Sequence, residues 1–142
     1  MRKSSHFLHR GQTLVEFAII LPVLLLLSIV ILDLGRVVYY SSAIHNAARE
    51  GVRYGAVHNE APDWVGMRQA AIEKAVGLAL TNGNITSFGW GPDEPNGNHT
   101  VQITIQYTFT PATPLAATFL PGGVITLIAD AKMRTEYDKP NP

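Results

Sequence analysis

The chain contains no cysteine. Disulfides, thiolate zinc sites and cysteine nucleophiles are excluded together. A surplus of charge is missing too: eleven Lys and Arg stand against eleven Asp and Glu. No overall field therefore draws the protein to nucleic acid or to an acidic polymer. There is no glycine-rich phosphate loop, nucleophile elbow or paired His-Glu metal motif. The five histidines, His6, His9, His45, His58 and His99, show no metal-ligand spacing. Asp93, Glu94, Asn96 and Asn98 gather oxygens in a glycine-proline loop, but without the EF-hand pattern, so a solvated loop is expected rather than a calcium site. With no cofactor, no metal and no catalytic constellation indicated, the sequence does not read as an enzyme. At 142 residues there is room for one domain with a modest core.

What is present is an oily run, "LVEFAIILPVLLLLSIVIL". From Phe17 to Leu32 there is no charge, and Ser28 is the one polar side chain. With Leu14 and Val15 the run reaches the roughly 20 residues needed to cross a ~30 Å hydrocarbon layer. A secretory signal would need a small-residue cut site just behind it. The nearest candidate, Ser41 to Ala43, lies beyond Asp33 and Arg36. A buried core helix would need a partner surface that so short a chain can hardly supply. The reading is a transmembrane helix in contact with lipid. Arg2, Lys3 and Arg10 precede it, so a single pass through the cytoplasmic membrane is expected, N-terminus inside and the remainder outside.

Two residues in this segment stand out. Pro22 has no amide proton to give to the carbonyl of Ala18, which predicts a kink or a loosened turn. Glu16 is an acid at the entrance of an apolar run. Thr13-Leu14-Val15-Glu16 fits a capping box, in which the threonine caps the helix and the glutamate reaches back to its amide. An acid at a membrane boundary also usually has a charge partner. Both readings stand.

Beyond Leu32 the helical pattern runs on to about Val57. Val37, Tyr40, Ile44, Ala47, Ala48, Gly51, Val52 and Gly55 form one apolar stripe. A helix from Thr13 to Val57 would be about 65 Å long, twice the hydrocarbon thickness, so half of it would project as a stalk. Ala47, Gly51 and Gly55 recur every fourth residue and make a smooth strip for close packing, either within the chain or against another subunit. Arg49, Glu50 and Arg53 look like a solvated face with a Glu50–Arg53 pair.

A break is expected at His58 to Pro62. Asp63 then caps a second helix, with Trp64, Met67, Ala71, Ile72, Ala75, Val76 and Leu80 on its buried side. Thr81-Asn82-Gly83-Asn84 is a turn, Ile85 to Gly89 a short strand, and "GWGPDEPNGNH" a long loop. Phe88 and Trp90 read as aromatics covering the core or as a contact patch. Asn84-Ile85-Thr86 and Asn98-His99-Thr100 match the glycosylation sequon, which is frequent by chance. Val101 to Phe109 alternates cleanly between apolar and polar and is the clearest strand. "PATPLAATFLPGG" is a connection with about one helical turn, and Val124 to Glu136 is the next strand. The fold expected is α+β: a long N-terminal helix, a second helix and a small antiparallel sheet of two to three strands.

Gly11-Gln12-Thr13-Leu14-Val15-Glu16-Phe17 resembles the processing site of type IV prepilins, which are cut after a glycine with a glutamate fifth after the cut. "GQTLVEFAIILPVLLLL" followed by "DLGRVVYYSSAIHNAAREGVRYGA" is similar to the TadE-like family of tight-adherence pilus assembly proteins, with a softer echo in "ADAKMRTEY". The resemblance implies a pilin-like fold and a minor pilin-like subunit or assembly factor. It implies a prepilin peptidase acting between Gly11 and Gln12, and other pilins and the assembly platform as partners. The chain then divides into a leader at 1–11, a transmembrane and stalk helix at 12–57, and a head at 58–142. Cleavage would leave Glu16 near a new amine, where it could pair with the N-terminal ammonium of a neighbour. An uncleaved single-pass scaffold of the machinery is the alternative, with a membrane-tethered ligand-binding domain behind it.

Overall fold

The computed structural model describes residues 6–57, 63–95, 98–118 and 120–135, with the side chains of 6–10, 115 and 116 excepted. The expected break at 58–62, the basic residues Arg2 and Lys3, and Glu136 lie outside the described residues.

One helix, α1 (His6–Val57), takes up the N-terminal part of the chain. Its 52 residues correspond to a length of about 78 Å. The helix is continuous through Pro22, where the proline removes one backbone donor. Leu14 to Leu32 are exposed along their whole length, whereas Ile44, Ala47, Ala48 and Val52 are almost fully buried. The same helix is thus bare in one half and core in the other.

The buried half carries the head. α2 (Trp64–Lys74) begins at Asp63, whose Oδ1 accepts hydrogen bonds from the amides of Val65 at 3.1 Å and Gly66 at 3.0 Å, the N-cap that an aspartate supplies. Met67 and Ala71 of α2 are buried against α1. The helix is shorter than the sequence pattern suggested. It stops at Lys74, Ala75 caps it, and Gly77 turns the chain at a φ of 82°. Val76 is consequently 73% exposed, not on the buried side. Its carbonyl accepts a hydrogen bond from the Tyr39 hydroxyl at 3.0 Å. Any side chain at Gly77 would be strained by its φ and would meet that hydroxyl at 2.9 Å.

Three antiparallel strands complete the head in the order β1 (Ile85–Trp90), β2 (Thr100–Phe109), β3 (Ile125–Arg134). β2 is central, pairing Phe88 with Ile103 on one side and Ala131 with Ile103 on the other. Its alternation works as a half-buried strand requires: Val101, Ile103, Ile105 and Phe109 are buried, while Thr104 donates from its hydroxyl to Asp130 on the open face at 2.7 Å. The last strand is slightly shorter than expected, since Val124 and Thr135 flank it without joining it. Between β2 and β3 runs a connection with one short helix, α3 (Pro114–Thr118). The core is therefore a layer of sheet and α2 wrapped on the C-terminal half of α1, an α+β fold with a long exposed helix.

Candidate functional site

The chemistry-bearing positions fall at three levels along α1. At the first, Gly11 has room for a side chain: among the described residues nothing lies within 4 Å of where a Cβ would stand. Gln12 Nε2 donates to Glu16 Oε1 at 3.2 Å across one helical turn. The capping box expected from Thr13 and Glu16 does not form. α1 begins at His6, so Thr13 sits in the helix interior, where its neighbours' amides already have carbonyl partners one turn back. Above this turn stretches the bare apolar surface; Ser28 satisfies its hydroxyl by donating to the Leu24 carbonyl at 2.8 Å.

The second level is Asp33, whose role the sequence did not reveal. It is the first residue after the apolar run and is only 6% exposed. Its Oδ1 accepts from the Ala112 amide at 3.1 Å and from Arg36 Nη1 at 3.1 Å. Its Oδ2 accepts from the Thr113 amide at 3.0 Å and the Thr113 hydroxyl at 2.7 Å. These contacts clamp the connection ahead of α3 onto α1, 80 residues away along the chain. The Thr113 hydroxyl first, and the Ala112 amide next, outweigh the effect of burial. With the Thr113 amide and Arg36 adding, the carboxyl is held well below the usual range, at about 2. The one signal in the sequence was an acid directly abutting a lipid-length run, which normally implies a partner.

At the third level Ala47, Gly51 and Gly55 are buried. A Cβ at Gly51 would stand 3.1 Å from the Ala71 Cβ and 3.1 Å from the Met67 carbonyl oxygen, and 3.2 Å from Ile103 Cδ1. At Gly55 it would meet Met67 Sδ at 2.8 Å. The strip is thus filled by α2 and the sheet of this same chain. Beside it, Arg53 pairs with Glu50 through two hydrogen bonds, and Arg49 is exposed.

Elsewhere the candidates are accounted for by structure. Trp90 packs edge-on against Trp64 at 5.9 Å, and Phe88 lies under the Arg68 guanidinium at 4.6 Å. The Asp93 carboxylate faces His99 Nδ1 at 3.0 Å; Asn96, the third of the loop's oxygen donors, lies outside the described residues. Asn84 donates its Nδ2 to the Gln106 carbonyl at 3.1 Å and accepts from the Thr81 amide at 2.9 Å, so the amide nitrogen that a glycan would need is engaged by β2. Among the described residues no three His, Asp or Glu side chains are grouped to hold a metal.

Residues 11–53 match the family model described as TadE-like protein. No curated protein and no solved structure matches the chain. The matched segment begins at Gly11 and ends within the buried strip. It therefore covers the first two levels of α1 and the third as far as Gly51, and Gly55, α2 and the sheet lie outside it.

Proposed function

We propose that this chain is a minor pilin-like subunit or assembly factor of the tight-adherence pilus, held in the membrane by α1 and released from its leader by a prepilin peptidase acting after Gly11. The TadE-like match over residues 11–53 supports a pilus-associated protein. The observation that carries the finer reading is the placement of Gly11 and Glu16 at the foot of a bare helix of lipid length. A peptidase must take its substrate in extended form, so α1 has to unwind locally. Glycine is the cheapest residue at which to do so, being about 1 kcal/mol poorer than alanine in a helix, and Gly11 has no neighbour in the way.

The mechanism is physical rather than catalytic. Cleavage creates an ammonium at Gln12, and Glu16 stands one turn along the same helix. When the helix leaves the bilayer for a bundle of its own kind, Glu16 pairs with the ammonium of a neighbouring subunit, and two charges are neutralised in apolar surroundings. The head, folded on the outer half of α1, travels with it. Mass spectrometry of the membrane-purified protein tests this: the mature chain should begin at Gln12, and the Gly11→Ala variant should keep residues 1–11. An intact leader on the wild-type protein sinks the reading and leaves an uncleaved single-pass scaffold. Glu16→Gln should still be processed but fail to enter pili; normal pili from that variant would show the charge to be dispensable.

A further inference from the structure

We infer that the underside of the head binds one acyl chain of an anionic phospholipid, with Arg36 holding its phosphate. A cleft of about 270 Å³ opens there. Val30, Leu34 and Val37 of α1 form one wall, and Phe109, Leu120 and Ile125 of the head form the other. Asp33 also borders it, but its two oxygens are turned to Ala112, Thr113 and Arg36. The space itself is apolar.

Its position selects the occupant. Val30 belongs to the apolar run, while Val37 lies one turn past Asp33, so the cleft straddles the level at which hydrocarbon meets headgroups. Apolar surface left in water is unfavourable by about 25 cal/mol per Å², and at this depth the apolar group at hand is a lipid chain. Arg36 stands at the rim. Its guanidinium lies 5.1 Å from the ring of Phe109, a wall of the cleft, and 5.7 Å from that of Tyr40. A guanidinium carries five N–H donors in a fork that suits phosphate; Asp33 occupies one at 3.1 Å, the Tyr40 hydroxyl also engages the guanidinium, and the side chain remains 44% exposed. Tyr39, 52% exposed on the same turn, adds the amphipathic ring usual at a bilayer surface. A bare apolar cleft and a cation therefore meet at the depth where a phospholipid presents its chain and its phosphate.

This rests on the membrane placement of α1, and not on processing or on pilus assembly. The test uses the full-length chain in phosphatidylcholine vesicles that carry a trace of phosphatidylglycerol with a diazirine in the acyl chain. After illumination, adducts are mapped by peptide mass spectrometry. Label is expected on Leu120 or Ile125 as well as on Leu14–Leu32. The phosphatidylglycerol probe should label the cleft about fivefold more than a phosphatidylcholine probe, the ratio that roughly 1 kcal/mol per interfacial cation gives. Arg36→Gln should bring the two probes level at the cleft, Arg36→Lys should retain part of the difference, and label on 14–32 should stay unchanged as the control for insertion. Label confined to 14–32, as when a second copy of the chain covers the cleft, overturns the lipid site. Equal labelling by both probes in the wild type overturns the role of Arg36. Absence of label from 14–32 as well refutes the membrane placement on which both stand.

Discussion

The packing argument at Gly51 can be isolated by making one substitution at two places in the same helix. Gly35 and Gly51 both lie inside α1. Replacing either with alanine gains the same helix propensity, about 1 kcal/mol. At Gly35 nothing lies within 4 Å of the added methyl, so the gain should appear whole. At Gly51 the methyl meets the Ala71 Cβ, the Met67 carbonyl oxygen and Ile103 Cδ1 at 3.1 to 3.2 Å, where carbon contacts prefer about 3.5–4.0 Å. Two of the three are rigid, one a backbone atom and one a Cβ, so α1 and α2 would have to separate. Overpacking of this kind costs about 1–3 kcal/mol. The net expectation for Gly51→Ala is a loss of about 0–2 kcal/mol, placing it about 1–3 kcal/mol below Gly35→Ala. For a unit the size of the head, each kcal/mol is worth about 4–8 °C. Thermal unfolding of the two full-length variants in the same detergent, followed by near-ultraviolet circular dichroism, reads this difference directly. Equal upward shifts would refute the claim that α2 and the sheet sit on this strip.

Three further outcomes are expected. Asp33 has a folded pKa of about 2, below its usual ~3.9, so its contribution is complete above pH 4 and lost as pH falls towards 2. Asp33→Asn should therefore melt below the wild type at pH 7 and converge with it in acid; a pH-independent gap would contradict the clamp. Ile103→Ala, in the fully buried centre of β2, should lose about 2–5 kcal/mol in urea unfolding. Ile128→Ala, 51% exposed on β3, should stay within about 0.5 kcal/mol of the wild type.

Periodicity was the dependable signal. The three-four stripe from Val37 to Gly55 and the alternation from Val101 to Phe109 each record a burial pattern over many residues, and both elements formed where that pattern lay. Single-residue signals fared according to what they depended on. Asp63 needed only the two amides just ahead of it and caps as expected. Thr13 and Glu16 needed a helix to begin at Thr13, and α1 starts earlier. Val76 fits the face of a longer α2, but Gly77 and the Tyr39 hydroxyl end that helix first. Asp33 was illegible as a clamp because three of its four hydrogen bonds come from Ala112 and Thr113, some 80 residues away, and two of these are backbone amides, which carry no mark in the sequence. The apolar cleft was hidden for the same reason, since its two walls come from distant parts of the chain.

The two acids of α1 also measure something. Glu16 and Asp33 are separated by 17 helical steps, about 25 Å, several ångströms short of a typical ~30 Å hydrocarbon layer. Tilting, the usual remedy for a long span, only shortens the projection of a short one. The head is fastened at Asp33, so it cannot slide along the helix to lend it more length. For a chain placed in a bilayer as proposed, the accommodations that remain are thinning of the lipid, snorkelling of flanking side chains or association of copies, each at a cost of fractions of a kcal/mol for each ångström of mismatch. For the membrane anchor proposed above, bilayer thickness would thereby become a force on the helix: a thin membrane would hold the chain at rest, and a thick one would load it.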